Sequence, residues 1–568
     1  MSRSVCRRFA GDRSSYELAT PMTHPIEFKL WAPYNPKASL VGDFLEDSVA
    51  EMEKGEDGYF RTKVELADGQ YAYKFRVKSQ SPFLDTDEWT YVIDPYATEV
   101  DESNQQGVIR IKDGEIIIDD YVWQHHDVEL PQPDELVIYE MLVQDFTETE
   151  GEGSFHTILD RLDYLQDLGV NALELMPVQS CPMEIGWGYN LRHYFALRSS
   201  YGKPADLKRL VDECHARGIM LILDVVLNHS EAEAPLTQID YNYWYRKDPK
   251  DPDQSWGPEF DYDHYDENYE RFPARDFMRD MVNFWITEYQ FDGLRFDAVK
   301  QLDNPEVLGQ IVDEAGLAAK PKPLFTCAEH IPEKPDICGL EGPVDSSWRV
   351  SFHYNFLDIL KGEGTAIEKV KELIDPKRMG FLSAQNVINY LTSHDQNRLM
   401  ANLADMEIFE QGAFKRAKLG AALVMTAMGV PMIWMGEEFG AYKHKTLDPA
   451  PLDWSLLDSE PNVGLLKYYK GLIALRKENA AIRSDNVSIF HENADTQVIG
   501  YMRWHEMGAR VAVIVNCSDN FLAGYQVENL PEDGIWHEWT KNFDVTVEGG
   551  RLMMDLPEYE AQVLVWSS

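Results

Sequence analysis

Charged side chains sit at the ends of short apolar runs in this sequence, and the tightest such group is GLRFDAVK, Gly293–Lys300. Arg295 and Asp297 alternate with Leu294 and Phe296, so on a strand both polar side chains share one face. A guanidinium beside a carboxyl group favours the ionised form, which a carboxylate nucleophile requires. An isolated Arg-x-Asp is more commonly a structural ion pair. Three further runs shift that balance. DVVLNH carries Asp224, Asn228 and His229; FTCAEH carries Glu329 and His330; LTSHDQN carries His394 and Asp395. Gathered at one place, such carboxylates, histidines and an arginine can run nucleophilic and general acid–base chemistry. They could also ligate a metal. Calcium takes about six to eight oxygens, and no compact cluster here supplies them, so neither a metal nor another cofactor is expected.

Elements that would bring these runs together are legible from Leu136 onward. Apolar strands are expected at Val137–Val143, Val170–Met176, Ile219–Val225, Asp292–Asp297, Leu324–Ala328, Val387–Leu391 and Val430–Met435, with one more suggested near Val344–Phe352. Helical patterns separate them, at Phe155–Leu168, Lys203–Arg217, Arg275–Tyr289, Pro305–Ala315, Ala366–Ile374, Ala413–Ala427 and Val463–Lys477. Serial strand–helix alternation predicts an α/β protein built on a (β/α)₈ TIM barrel, residues 136–480, in which every strand end faces one mouth. Residues 230–272 interrupt the rhythm after the third strand and read as an inserted subdomain. Short alternating strands with Asp-Gly turns fill residues 26–118 and return over 485–568, predicting β-sandwiches that flank the barrel. Residues 1–25 read as an extension.

Composition narrows the partners. Asp and Glu number 97 against 53 Lys and Arg, a net charge of −44, which opposes nucleic acid and anionic membranes because phosphate binding needs clustered cations. No apolar run is long enough for a transmembrane helix. The six cysteines form no close pairs, as expected of thiols in a reducing compartment. The N-terminus holds Arg3, Arg7, Arg8 and Arg13 without an apolar core. A cytoplasmic location is expected, or a plastid if residues 1–21 are a transit peptide; Met22 is an alternative start.

Read in order, the four strand-end runs resemble the four short motifs of the α-amylase family, glycoside hydrolase family 13, and the resemblance extends from about Ile26 to the end. It implies an α-glucan substrate (amylose, glycogen, starch or maltooligosaccharides). Cleaving an α-glycosidic bond needs two carboxyl groups flanking it, set about 5–5.5 Å apart in a retaining enzyme. By this resemblance Asp297 is the nucleophile, Glu329 the acid/base and Asp395 the carboxylate that stabilises the transition state. His229 and His394 would hydrogen-bond the sugar, Tyr189 of GWGYN would stack beneath it, and Trp187, Arg295 and Lys300 would complete the substrate contacts. Asp224 and Asn228 would support from behind, Asp224 by holding Arg295. His330 is left unassigned.

The leading sandwich resembles the carbohydrate-binding module that precedes the barrel in branching, debranching and trehalose-releasing enzymes. GWGYN, the following YFALRSSYGKPADLKRLVDECHARGI and AEHIPEKP are most similar to branching enzymes of a cyanobacterial type. That implies cleavage of an α-1,4 bond and transfer of the chain to a 6-hydroxyl. The alternative is an α-glucan hydrolase: amylase-like, debranching or a maltooligosyltrehalose trehalohydrolase. A non-catalytic glucan-binding protein is opposed by the intact carboxylates. Transfer and hydrolysis use the same residues, and DAVKQ, with Lys300 and Gln301, leaves the acceptor open.

Overall fold

The computed structural model describes residues 22–125, 128–182, 186–362 and 366–566; the transit-like segment 1–21 lies outside them. Eight parallel strands close into a barrel in chain order: Ile138–Met141, Ala172–Leu175, Met220–Val225, Gly293–Phe296, Phe325–Ala328, Ser346–Arg349, Val387–Tyr390 and Val430–Trp434. All are buried along their length, which is why they read as continuous apolar runs rather than alternating ones. The sixth is the exception, because three of the four residues of SSWR are polar and only its position between helices gives it away.

Two apolar layers hold the barrel. Ile138, Met220, Ile222, Phe325, Ile388 and Met432 fill its interior, while a larger core lies between strands and helices. The helix Pro273–Tyr289 shows how an element is set. Proline occupies its first turn, where no amide hydrogen is needed, and Gln290 ends it in the left-handed region at φ 55°. Phe277, Met281, Trp285 and Tyr289 bury one face, each contributing about 1.5–3 kcal/mol. Truncating Phe277 to alanine costs about 3–5 kcal/mol. That helix delivers the chain into the fourth strand. The pattern Phe155–Leu168 forms two helices rather than one, Phe155–Leu159 and Leu162–Leu168, because the chain leaves helical geometry at Arg161.

Before the barrel, one sheet joins Thr23–Trp31 to Tyr59–Ala67, and a second is built around Ala38–Gly42, Gly69–Lys78 and Gln106–Lys112. After it, a six-stranded sheet runs from Val487–Asn493 to Phe543–Val547, and the pair Leu522–Glu528 with Arg551–Leu556 packs over it. Strands at Leu522–Glu528, Phe543–Val547 and Arg551–Leu556 escape the sequence pattern because exposed residues dominate their outer faces, and the short strand Gly534–Glu538 escapes it too.

The insert after the third strand carries the helix Pro235–Trp244 and clasps the N-terminal sheets. Asn35 Nδ2 donates to Ile239 O at 2.9 Å, Gln80 N to the same oxygen at 2.9 Å, and Tyr34 Oη to Asp266 Oδ1 at 2.9 Å. The Arg271 guanidinium lies 4.3 Å from the Trp31 ring. The leading sheets are thereby seated beside the barrel mouth.

Candidate active site

Register, not sequence distance, assembles the site. Asp224 on the third barrel strand lies opposite Arg295 on the fourth, and Arg295 opposite Cys327 on the fifth. The ladder continues past the strand ends: Asp297 N donates to Val225 O at 3.0 Å and Glu329 N to Phe296 O at 2.9 Å. Ala298 then turns the chain through the left-handed region at φ 50°, a conformation costing about 1–2 kcal/mol for a residue with a Cβ. The turn lets the Ala298 amide donate to Glu329 Oε2 at 3.1 Å.

Arg295 is the hub. Fully buried, its Nη1 lies 2.9 Å from each Asp224 oxygen and 2.9 Å from Asp297 Oδ1. Its Nη2 lies 3.0 Å from Glu329 Oε2. One guanidinium therefore holds Asp297 and Glu329 side by side. The Trp348 ring lies 4.3 Å from its Cζ, a cation–π contact that helps a buried charge.

Electrostatics adds burial to the expected effect of Arg295. Burial raises the Asp297 carboxyl to about 6, with Arg295 pulling it down and Asp224 pushing it up, so Arg295 limits that rise rather than holding Asp297 in the usual range. Burial also raises Glu329, to about 7, against Arg295 and with help from Asp297 and Asp395. Asp395 goes the other way: burial raises it, but His394 and Lys445 outweigh that, and the net shift is downward. Near neutral pH the set holds a proton preferentially on Glu329 and a charge on Asp297 and Asp395. Such a pair can deliver a proton to a leaving group while attacking the same centre.

The other expected residues divide. His394 Nδ1 bonds Glu140 Oε1 at 2.6 Å and its Nε2 lies 3.6 Å from Asp395 Oδ2. Burial disfavours its charge, yet Asp395 and Glu140 raise it to about 9. Tyr189 stacks on the His394 ring at 5.2 Å and donates to Asp224 Oδ2 at 2.6 Å. Trp187 meets the same ring edge-on at 5.2 Å, and its Nε1 donates to Thr446 O at 3.0 Å. His229 is buried and pushed down to about 4, hence neutral, with its ring 5.8 Å from Trp256. Asn228 is buried, and its carbonyl accepts from Phe260 N at 3.1 Å. His330 Nδ1 pairs with Pro332 O at 2.7 Å. Lys300 is exposed on the helical turn Val299–Leu302.

Four contributors escaped the sequence reading. Glu140 and Glu174 sit buried at paired positions of the first and second strands, and a lone glutamate within an apolar strand was the available signal. Trp348 comes from the weak sixth strand. Lys445, far along the chain, places Nζ 2.8 Å from Asp395 O and 4.7 Å from the Trp187 ring centre, and nothing in its neighbourhood announces that. Among the described residues, no group of three His, Cys, Asp or Glu side chains is placed to hold a metal ion.

Comparison with known proteins agrees with this geometry. Residues 137–320 match the family model "Alpha amylase, catalytic domain", and residues 18–97 match "Carbohydrate-binding module 48 (Isoamylase N-terminal domain)". A malto-oligosyltrehalose trehalohydrolase of Saccharolobus solfataricus is 27% identical over 540 residues, covering 82% of this chain and 88% of that protein. A 1,4-alpha-glucan branching enzyme of Nitrosomonas eutropha is 24% identical over 587 residues, covering 92% and 75%. A pullulanase type I of Bacillus subtilis, solved with maltose, superposes with a TM-score of 0.78 at 22% identity over 97% of this chain and 86% of that one, which establishes the shared fold.

Proposed function

Because the chain belongs to the α-amylase family, we propose that it cleaves α-1,4 bonds of α-glucans by a retaining double displacement. The observation that carries this reading is the single buried guanidinium of Arg295 set against both Asp297 and Glu329, since a retaining pair must stand close across one bond. Asp297 attacks the anomeric carbon while Glu329 gives its proton to the departing glycosidic oxygen. The glycosyl group then rests on Asp297 as an ester. Glu329, now a carboxylate, takes the proton of the incoming hydroxyl, whose oxygen displaces Asp297.

Asp395 and the charged His394 hydrogen-bond the sugar in the strained transition state, neutral His229 contacts a further hydroxyl, and Tyr189 presents its ring beneath. Asp224 fixes Arg295 from behind, and buried Asn228 supports the end of the third strand. Residues 136–480 form the catalytic unit, with 26–118 as a carbohydrate-binding module and 485–568 as a closing sandwich.

The hydroxyl that accepts the glycosyl group is a 6-hydroxyl of a second glucan, making the reaction a branching transfer. Lys300, exposed three residues beyond Asp297, stands on the acceptor side. A second reading, hydrolysis next to a terminal trehalose, is favoured by the trehalohydrolase relative, which matches across 88% of its own length. One assay separates them. Branching removes the iodine colour of amylose with little new reducing power, and isoamylase then releases short chains. Reducing ends rising in step with colour loss, or free trehalose from trehalosyl-ended maltooligosaccharides, would overturn transfer in favour of hydrolysis.

A further inference from the structure

The segment after the eighth barrel strand, residues 441–453, contains neither helix nor strand, yet it is pinned at two places. At its far end Ala450 N donates to Asp145 Oδ1 at 2.9 Å and Leu452 N to Asp145 O at 3.0 Å. At its near end Lys445 N donates to Asn397 Oδ1 at 2.9 Å, Trp187 Nε1 to Thr446 O at 3.0 Å and Gly186 N to Leu447 O at 3.0 Å. An irregular loop of this length held so firmly beside a reaction site is more often functional than idle.

Lys445 stands at the centre of the near group. Its Nζ lies 2.8 Å from Asp395 O and 3.4 Å from Asp395 Oδ1, so one ammonium grips the main chain and the carboxylate of a single residue. Holding a flexible lysine stem in one place costs rotamer entropy. The Trp187 ring, with its centre 4.7 Å from Nζ, offsets part of that cost through a cation–π contact. Trp187 reaches this position because both its neighbours are glycine. Gly186 and Gly188 take φ of 119° and 94°, and a Cβ on Gly188 would come 2.9 Å from Pro177 O. GWG in the GWGYN run thus builds a platform for the later loop.

Asp395 has few other partners to fix it. Arg295 commits its guanidinium to Asp224, Asp297 and Glu329. His394 turns Nδ1 to Glu140 and keeps Nε2 3.6 Å from Asp395 Oδ2. Among the described residues, Lys445 is the one side chain that hydrogen-bonds the Asp395 carboxylate. The Asp395 side chain is 31% exposed and its charge repels that of Asp297, so without Lys445 it is free to turn toward water.

We propose that Lys445 is a positioning residue for the reaction: it fixes the Asp395 carboxylate in the direction that meets the sugar, and its contact with Trp187 makes residues 441–453 a working part of the site. The proposal rests on the reading that Asp395 stabilises the transition state of α-glucan cleavage. Lys445 acts through Asp395, so its effect belongs to the transition state rather than to binding of the chain.

The test is steady-state kinetics of the full-length protein on an α-glucan that the parent turns over, amylose first. Lys445→Met keeps the stem and removes the charge, and should lower kcat about 10–100-fold with KM within about twofold. Lys445→Arg keeps a donor cation and should recover most of the loss. Lys443→Met removes a charge two residues away, whose Nζ donates within the loop to Pro451 O, and should match the parent. The Lys445 side chain is 37% exposed, so the lysine variants should unfold as the parent does. Trp187→Phe loses the Nε1 donor; combined with Lys445→Met it should cost less than the product of the two single losses, because both hold one loop. An unchanged kcat in Lys445→Met, a loss confined to KM, an equal loss in Lys443→Met, or an arginine variant no better than methionine would overturn the positioning role while leaving the reaction assignment intact. Losses that multiply independently would overturn the joint role of Trp187. A parent protein inactive on every α-glucan would overturn the reaction assignment and the role of Lys445 together.

Discussion

Replacing Glu140 with glutamine isolates the charge that sits behind His394. The amide keeps an acceptor near the His394 ring and its backbone N–H, both of which Glu140 contacts in the barrel interior, but it removes the negative charge. His394 stands at about 9 against an ordinary 6.5, a difference worth about 3 kcal/mol of folding free energy. Asp395 and Glu140 together supply the attraction that overcomes burial, so the substitution removes about 1–2 kcal/mol, part of that total. The sign follows from linkage. A histidine whose folded value is raised adds stability fully present below pH 6.5 and lost as pH climbs through about 9. Glu140 acts in the same sense, since burial raises its own carboxyl and its lone charge costs the parent stability once His394 is neutral. Urea unfolding followed by tryptophan fluorescence, variant against parent, should show a gap that is largest at pH 6, shrinks as pH climbs through about 9 and closes above it. Titrations common to both proteins cancel in that difference. A gap independent of pH would refute the charged His394–Glu140 pair, and with it the account of why Asp395 stays ionised.

Activity itself should be bell-shaped in pH. The kcat/KM rises as Asp297 ionises through about 6 and falls as Glu329 loses its proton through about 7; a profile flat from pH 5 to 8 would exclude this pair. Glu329→Gln should lower kcat by roughly 10²–10⁴-fold and abolish the alkaline limb, least so for substrates with activated leaving groups. Asp297→Asn should remove turnover with the unfolding curve preserved, and retained activity would exclude it as nucleophile. Treatment with EDTA should leave activity unchanged; full loss restored by calcium would establish a metal requirement.

Much of this architecture was legible in sequence because a barrel strand is buried on both faces and must be apolar throughout, so a charged residue at its end stands out. Asp224, Arg295, Asp297, Glu329, His394 and Asp395 all announced themselves that way. Glu140 and Glu174 did not, since a single glutamate in a short strand is ambiguous until the opposite wall is known. Lys445 and Trp348 lay in segments with no periodic pattern. The exposed strands of the C-terminal sandwich were missed for a related reason: a pleated sheet with one wet face and irregular turns leaves only a weak alternation.

The sequence by itself determined which chemistry is available, because the residue types at four strand ends and their order along the chain suffice to specify a carboxylate site. Tertiary structure decided how that chemistry is tuned. Alternation suggested that Arg295 would favour an ionised Asp297, and it does pull that carboxyl down; burial, a long-range property of the closed barrel, opposes it by raising both Asp297 and Glu329, which one shared guanidinium holds side by side. The contact of the leading sheets with the insert, through Asn35 and Ile239 and through Tyr34 and Asp266, is likewise invisible in any one segment. Local sequence sets the composition of a site, whereas desolvation and the packing of distant segments set its proton affinities and its neighbours.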